Sequence, residues 1–439
     1  MIKVTAVSHL NAFLPQQILS LTLLLLLTGG GSFVVTTEIF AAEKGTPAEG
    51  WTRFRGPNGT GVAQDSGFPS KWEESQYEWA VDIEGYSHGS PVVWEGQIFL
   101  TTALQDGTVR RLMSVDLASG KTLWSRDLDL QTVHLHKKNS YSSGSPATDG
   151  KRVYVAFGDE QHWILAAFGM DGKPLWTRDF GEFNSQHGPG GSPIVVDGLV
   201  ILAKDMMGPS SIHAVSAETG EVVWSVDRKE RRTSYATPML HTRTDGRKQL
   251  ICLSGASGLC GLDVQTGEQI WTAGEMPMRT VASPMMAGNL VIATCGSGGS
   301  GKLLLAVDPN GTGDVSDSHV KWETKRELPY VPTPVYDGKH LYLWADAGIV
   351  SCLDPATGKS LWKQRVKGKF SGSPVLIGDR IFAINEDGIV VVIGTGEEFE
   401  LLGETPLNDL CYGTPAIAEG YLLLRTSSKL MALKGKSAQ

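Results

Sequence analysis

The sequence predicts an all-β fold, an eight-bladed β-propeller of four-stranded blades that is closed by its N-terminal strand. Three observations support this prediction: a Ser/Thr-Pro pattern that recurs eight times, a turn signature that ends in Trp, and a last repeat that lacks one strand. Successive prolines of the first pattern lie 40 to 55 residues apart. Repeats of this length with four strands each are typical of propeller blades.

The Ser/Thr-Pro pattern marks the start of each blade. Its eight prolines are Pro91, Pro146, Pro193, Pro238, Pro284, Pro334, Pro374 and Pro415. Each proline precedes a short apolar run, a tight turn such as Asp197-Gly198, and a second apolar run. Two apolar runs joined by a tight turn indicate a β-hairpin.

The signature that ends in Trp predicts a second hairpin in the same repeat. Its five clearest copies span residues 116–124, 171–176, 218–224, 263–271 and 354–362. An acidic side chain can bond its own backbone in a turn, and the Gly that follows it accepts a positive φ. The Trp ring is suited to fill space between neighbouring sheets. Together the two hairpins supply four strands per repeat.

The eighth repeat runs from Pro415 to Leu433 and provides only three strands, without a Trp. Trp79 lies 12 residues before Pro91, the same interval that separates Trp322 from Pro334. We therefore expect the strand around Trp79 to complete the last blade. Such closure joins both ends of the ring through sheet hydrogen bonds.

The first forty residues differ in composition from the repeats. Residues 1–42 contain Lys3 and an apolar stretch at 18–27, which is typical of a secretory signal peptide, or of an anchor if it is not cleaved. The expected organisation continues with an N-terminal extension at 43–71, the propeller at 72–434 and a tail at 435–439. Export to the periplasm or the cell exterior follows, with no membrane span in the mature form.

Composition limits the classes of partner. The chain of 439 residues carries 39 Lys and Arg against 47 Asp and Glu, a net charge of −8 without a long run of one sign. Nucleic acid is therefore not an expected partner. A protein or a small anionic ligand on one propeller face is expected instead.

The five cysteines are too few and too scattered for a disulfide framework. Cys252 and Cys260 flank a short Ser/Gly-containing turn and could face each other across a hairpin. They would then form either a disulfide or a pair of buried thiols, because a disulfide places narrow limits on geometry.

The repeats resemble the PQQ-like repeat, and residues 72–434 resemble the eight-bladed propellers of the quinoprotein alcohol dehydrogenase-like superfamily. The acidic, Thr-Gly and Trp positions given above carry this resemblance. The segment 51–57 is also similar to an N-terminal motif of secreted bacterial PQQ-like proteins. The superfamily includes quinone-dependent alcohol dehydrogenases and non-enzymatic members similar to BamB, the outer-membrane assembly lipoprotein. The resemblance thus implies either a binding or assembly scaffold or a PQQ-dependent quinoprotein oxidoreductase.

Two departures bear on this choice. The enzymes of the superfamily carry adjacent cysteines over the quinone and a calcium held by Glu and Asn beside an Asp base, whereas no two cysteines are adjacent here and the acidic set is not matched. No cysteine precedes Cys252, so the lipid attachment of BamB is not expected. Because function must be argued from the site, we favour a non-catalytic, BamB-like scaffold and assign no catalytic residue. If the chain is instead a quinoprotein oxidoreductase, PQQ with calcium would be its cofactor.

Two long connections between repeats indicate a binding face. The Trp-to-Ser/Thr-Pro interval is 22 and 17 residues in the first two repeats and 12 to 14 in the later ones. Long polar loops on a rigid scaffold often carry binding, and imidazole also ligates metals. The candidate residues of this face are His88, His134, His136, Asn139, His162, His187, Tyr235 and Tyr412.

Within this set, His88, Tyr235 and Tyr412 lie three positions before a repeat proline, which places them at the rim of the central opening. A carboxylate or phosphate ligand would suit the face, especially below about pH 6.5, where histidine protonates. The alternatives are that the histidines cap turns and that the aromatic rings plug the channel.

A candidate calcium loop replaces the short turn of the fifth repeat. Asp308, Asn310, Thr312 and Asp314 are spaced like the oxygen ligands of such a loop. The twelfth position holds His319 instead of Glu, so an acidic turn without metal is the alternative. The glycine-rich segment 296–301 is expected to be a hairpin turn, because a strand follows it and a phosphate-binding loop needs a helix there.

Overall fold

The computed structural model of the chain describes residues 50–64, 67–229 and 232–436. The predicted signal peptide, the start of the predicted extension and the last three residues of the tail lie outside the described residues. In the described part the fold is all-β, with three short 3-10 turns, Pro57–Gly59, Glu74–Gln76 and Gln105–Gly107. Among these residues no helix is long and apolar enough to cross a membrane.

Eight sheets follow one another along the chain, as predicted. Two strands precede the first repeat, β1 (Val62–Ala63) and β2 (Trp79–Asp82). Blade 1 contains β3 (Val92–Trp94), β4 (Gln97–Leu104), β5 (Val109–Asp116) and β6 (Thr122–Asp129). Blade 2 contains β7 (Ala147–Thr148), β8 (Arg152–Gly158), β9 (Trp163–Gly169) and β10 (Pro174–Asp179). Blade 3 contains β11 (Ile194–Val196), β12 (Leu199–Lys204), β13 (Ser210–Ser216) and β14 (Val222–Arg228). Blade 4 contains β15 (Met239–Thr242), β16 (Lys248–Ser254), β17 (Gly258–Asp263) and β18 (Gln269–Thr272).

The second half repeats this plan, and two short strands extend sheets of the ring: the N-terminal β1 joins the innermost strand of blade 7 in parallel, and β22 joins blade 4. Blade 5 contains β19 (Met285–Ala287), β20 (Leu290–Ser297), β21 (Ser300–Val307) and, after β22 (Gly313–Asp314), β23 (Val320–Thr324). The short β22 pairs in parallel with β18 of blade 4. Blade 6 contains β24 (Val335–Tyr336), β25 (Leu341–Trp344), β26 (Ile349–Leu353) and β27 (Ser360–Arg365). Blade 7 contains β28 (Val375–Ile377), β29 (Arg380–Ile384), β30 (Ile389–Gly394) and β31 (Leu401–Pro406). Blade 8 contains β32 (Ala416–Ala418), β33 (Tyr421–Arg425) and β34 (Lys429–Lys434).

The N-terminal strand completes blade 8. Strand β2 pairs antiparallel with β34, with Trp79 opposite Ala432 and Asp82 opposite Lys429. The order of this sheet is β2, β34, β33, β32 from the outside to the axis. The closure predicted from the missing strand is therefore present.

In six of the eight blades, the Trp of the outer strand joins its blade to the next one. The Trp79 indole donates to the Leu117 carbonyl at 2.9 Å, and the same bond to a turn carbonyl of the next blade is made by Trp124, Trp176, Trp224, Trp322 and Trp362. The turn glycine of the next blade lies against the ring. At Gly220, which has a φ of 69°, an added Cβ would come within 2.5 Å of the Trp176 ring. This contact explains why the signature contains both Gly and Trp.

The hydroxyls of the Ser/Thr-Pro pattern bond backbone amides at seven of the eight junctions between blades around the axis. The Ser90 amide donates to the Ser145 hydroxyl of the next blade at 2.9 Å. Equivalent bonds start at the amides of Ser145, Thr237, Ser283, Thr333, Ser373 and Thr414, the last of which returns to Ser90. Because each bond satisfies a buried backbone donor, the pattern is explained by the junctions between blades.

Apolar cores fill the spaces between neighbouring sheets. One such core joins Val92 and Phe99 of blade 1 to Val153 and Phe157 of blade 2. Cys252 and Cys260 are directly opposite each other on β16 and β17, yet both are free and buried. Of the two alternatives left by the sequence, the pair of buried thiols is the one observed.

Candidate functional site

A cavity of about 560 Å³ lies on the propeller axis. All eight residues that stand three positions before a repeat proline line it: His88, Ser143, Gly190, Tyr235, Val281, Val331, Ser371 and Tyr412. Each of these residues directly precedes an innermost strand, so the eightfold repeat delivers one side chain per blade to the same opening. We call this space the axial cavity.

The N-terminal segment 50–63 closes the axial cavity on the side away from these rim residues, and Phe54 of this segment lines the cavity. We call the segment the axial plug. Its backbone and side chains bond to the innermost strands, or to the prolines before them, in blades 1, 2, 4, 6 and 7, at Val93, Thr148, Pro238, Leu240, Pro334, Pro374 and Leu376. The segment that contains the 51–57 motif therefore forms the floor of the cavity.

Two buried arginines hold the axial plug in place. Arg53 donates to the Pro238 carbonyl at 2.5 Å, and Arg55 donates to the carbonyls of Pro334 and Pro374, both at 2.8 Å. Burial lowers the pKa of each guanidinium to about 9. The arginines place cationic groups beneath the axial cavity.

The connection between blades 1 and 2 passes along the rim of the axial cavity. Its residues His136, Lys137, Lys138 and Asn139 line the cavity, and Lys138 forms an ion pair with Glu386 of blade 7. Because blade 8 lies between blades 7 and 1, this ion pair carries the connection across the sector of blade 8. We call residues 131–143 the strap.

The second long connection supports the strap. The Asn139 side chain donates to the carbonyls of His187 and Pro189, at 2.7 and 3.0 Å. The His136 and His187 rings lie 4.8 Å apart. Tyr235 in turn donates to the Gly188 carbonyl at 2.9 Å, so the two connections and the rim of blade 4 form one bonded assembly.

The structure brings together six of the eight candidate residues of the predicted face. His88, His136, Asn139, His187, Tyr235 and Tyr412 line the axial cavity. His134 is exposed on the strap and is not a lining residue. His162 lies outside the cavity, where its Nδ1 is 2.6 Å from an Asp179 carboxylate oxygen. The His162–Asp179 contact raises the pKa of His162.

The histidines of the cavity are neutral at physiological pH. Burial lowers the pKa of His88 and of His187 to about 4, with the charge of Arg279 as a second cause for His187. Burial also lowers the pKa of His136. Protonation near pH 6.5, as expected from free histidine, is thus moved to more acidic pH at these sites.

The candidate calcium loop uses its oxygens for bonds within the protein. The Asp308 carboxylate accepts from the amide and the side chain of Asn310, whose own side-chain oxygen accepts from the Thr244 amide at 2.9 Å. Asp314 accepts from Ser316, while Thr312 lies directly before β22. Among the described residues no group of three or more His, Cys, Asp or Glu side chains is placed to hold a metal ion.

Sequence reasoning missed the charged wall between blades 5 and 7. Arg279, Asp346 and Lys369 line the axial cavity beside Tyr330 and the turn glycines Gly298 and Gly299. Arg279 precedes the rim residue Val281 by two positions, which was the available signal for it. Asp346 follows β25 in a loop that no repeat pattern marks.

Comparisons with known proteins match this architecture. The family profile described as Outer membrane protein assembly factor BamB matches residues 71–161, 105–308 and 300–439. The Outer membrane protein assembly factor BamB of Yersinia pestis is 23% identical over 352 residues, which are 78% of this chain and 83% of that protein.

Two solved structures share the fold. The BamB structure from Moraxella catarrhalis has a TM-score of 0.58 at 13% identity and covers 82% of this chain and 98% of its own. The quinohemoprotein alcohol dehydrogenase from Comamonas testosteroni has a TM-score of 0.62 at 12% identity, covering 89% and 81%. The profile match extends over most of the chain, and the chain therefore belongs to the family described as Outer membrane protein assembly factor BamB.

Proposed function

We propose that the chain is an exported, non-catalytic propeller that binds a protein partner on the face carrying the strap. The observation that carries this proposal is the family match over residues 71–439. In addition, the two longest connections between blades meet on a single face of this propeller. Relatives named for outer membrane protein assembly support a role in which the propeller holds other proteins.

The chemistry of the axial cavity also favours binding over catalysis. The five cysteines are buried and separate, and burial raises the pKa of the thiol of Cys411, which precedes the rim residue Tyr412, to about 12. The three cavity histidines have lowered pKa values. The cysteines do not provide the adjacent pair of the quinone enzymes, and each of these histidines is a weaker base than free imidazole.

Site-specific photo-crosslinking in the producing cells tests the partner surface. A crosslinking residue replaces Lys137 on the strap or, as matched control, Lys151 in the turn between β7 and β8, which lies on the opposite face. We expect one reproducible crosslinked protein from position 137 and none from position 151. Crosslinks of equal yield from both positions would contradict the proposed face. The first residue of the recovered chain should lie between positions 30 and 43 if the protein is exported.

A cofactor assay separates the scaffold from the quinoprotein alternative. The purified full chain is incubated with PQQ and calcium, then tested for dye reduction with a panel of alcohols. The scaffold proposal expects no dye reduction above the protein-free control. Saturable quinone binding with dye reduction would assign the chain to the oxidoreductases instead.

A further inference from the structure

Arg279 is a buried cation without a carboxylate partner. Its side chain is only 8% exposed and lines the axial cavity. It donates to the Thr233 carbonyl at 3.1 Å, lies 3.1 Å from the neutral His187 ring, and donates to the Gln186 side chain at 3.2 Å. All of these acceptors are uncharged. A buried charge is normally paired, so the wall of the cavity holds an unbalanced positive charge.

Asp346 lines the same cavity and has one carboxylate oxygen without a hydrogen-bond partner. The residue is 4% exposed, and its Oδ2 accepts from the Tyr330 amide at 2.7 Å. Its Oδ1 is buried and has no hydrogen-bond partner. Buried polar atoms nearly always have a partner in folded proteins. The Oδ1 atom can therefore accept a hydrogen bond from an N–H or O–H donor.

Arg279 and Asp346 stand on adjoining parts of the wall. Tyr330 lies between them, because its amide bonds Asp346 while the Arg279 guanidinium interacts with its phenol group. A single small molecule can thus meet both side chains. The cavity volume of about 560 Å³ falls within the range of ordinary small-molecule sites.

The surrounding charge favours an anion. Lys137 and Lys369 line the axial cavity and form no ion pair in the described part of the chain, whereas Lys138 is paired with Glu386. The chain as a whole carries a net charge of −8. The cavity is therefore lined by positive charge although the chain as a whole is negatively charged. A cleft lined by positive charge attracts anionic ligands.

We propose that the axial cavity binds a small organic carboxylate that also carries an O–H or N–H donor, with its carboxylate at Arg279 and its donor at Asp346 Oδ1. Arginine presents several N–H groups in a planar fork that suits a carboxylate. The axial plug and the strap enclose the site, which favours a free small molecule over the end of a polypeptide. This ligand site goes beyond the proposed partner surface and stands without it.

Calorimetric titration of the purified full chain tests the proposal with two matched probes, L-malate and succinate. The two dicarboxylates share a skeleton and a charge, and only malate carries a hydroxyl donor. We expect both to bind, malate more tightly. Arg279→Gln should weaken binding of both at least tenfold, which corresponds to about 1.4 kcal/mol. Asp346→Asn should reduce the preference for malate over succinate, because a neutral amide accepts more weakly than a carboxylate.

Controls keep the outcome clear. Arg247→Gln removes an exposed guanidinium that bonds Asp245 and should leave both affinities unchanged. Lys369→Gln alters an exposed side chain and should weaken both probes even if Arg279→Gln fails to fold. The proposal is overturned if neither probe binds at about 10 mM, well above a millimolar Kd. It is also overturned if Arg279→Gln and Lys369→Gln both bind like the unaltered chain, or if PQQ displaces malate and supports dye reduction.

Discussion

At the residue scale, Arg55 shows how one side chain can organise distant parts of a ring. Its guanidinium bonds the carbonyls of Gly59 and Thr60 in the axial plug and those of Pro334 and Pro374 in blades 6 and 7. None of these carbonyls belongs to a residue that the repeat pattern would pair with Arg55. The residue is fully buried, so the bonds are shielded from water.

Replacing Arg55 by Met should lower the free energy of unfolding by about 2–4 kcal/mol, since buried carbonyls would lose a charged donor. Urea unfolding followed by tryptophan fluorescence measures the effect. Arg247→Met, at an exposed guanidinium, should change the free energy by less than about 0.5 kcal/mol. Equal effects of the two substitutions would show that Arg55 does not fasten the plug.

His88 should make the stability of the chain depend on pH. Its ring stacks on Tyr412 at 4.4 Å, its Nε2 lies 2.8 Å from the Tyr86 hydroxyl, and Arg425 is the charged group that acts on it. Burial lowers its pKa from 6.5 to about 4 in the folded chain. Between these values the unfolded chain binds more protons, so stability is complete above pH 6.5 and falls as the pH falls toward 4.

The contribution of His88 to this loss should be about 1–3 kcal/mol. Unfolding midpoints of the unaltered chain and of His88→Gln, measured at pH 7.5 and pH 4.5, give the test. The variant should lose less stability than the parent over this interval, although His187 and His213, with pKa values of about 4, keep part of the dependence. Identical pH profiles would mean that His88 is accessible to water.

At the element scale, the hairpins were predictable because every repeat carries the same residue types at the same positions of its turns and strands. The Ser/Thr-Pro pattern supplies a hydroxyl for the bonds between blades around the axis, and the Gly of the second pattern leaves room for a Trp ring. Where the pattern breaks, the structure changes. In the fifth repeat the long segment 308–319 replaces the turn, and the indole of Trp271 donates to Gln249 of its own blade at 2.8 Å.

Gly220→Ala should test the contact between turn glycine and Trp ring. The residue has a φ of 69°, and its new methyl group would meet Trp176 at 2.5 Å. We expect a loss of about 2–4 kcal/mol, combining backbone strain with overpacking. Gly198→Ala is the matched control, because Gly198 has a φ of 79° but nothing within 4 Å of the new methyl. The control should lose only about 1 kcal/mol, measured by thermal or chemical unfolding.

The candidate site was predictable only in part, and the reasons are physical. Rim residues such as Tyr412 follow from the repeat, which fixes where every innermost strand begins. The floor of the cavity, formed by the axial plug, does not follow from the repeat, because Arg55 bonds residues that lie 279 and 319 positions away in the chain. Asp346 was missed because a lone acidic residue in a loop carries no pattern. His162 does not line the cavity with the other predicted residues, because its ring pairs with Asp179 of its own blade.

At the scale of the whole molecule, the ring depends on joining its two ends. Each blade buries its two faces only against the neighbouring blades. If the ring is open, the two blades beside the gap each expose one apolar face to water. Trp79 joins the outer strand of blade 8 to blade 1 through its bond to the Leu117 carbonyl, in addition to the Thr414–Ser90 bond near the axis. It also packs in the same apolar core as Leu430 and Leu433 of β34.

Deleting residues 72–85 should therefore weaken the entire ring. The deletion removes β2, the Trp79 clasp and the cover of the outer edge of β34, and we expect the thermal midpoint to fall by at least about 10 °C, a loss of several kcal/mol for a domain larger than 200 residues. Differential scanning calorimetry should show a single transition for the intact chain. As matched control, Glu74→Ala with Glu78→Ala changes only exposed side chains of the same segment and should leave the midpoint unchanged. A deletion variant that melts like the intact chain would show that blade 8 holds together without its N-terminal strand.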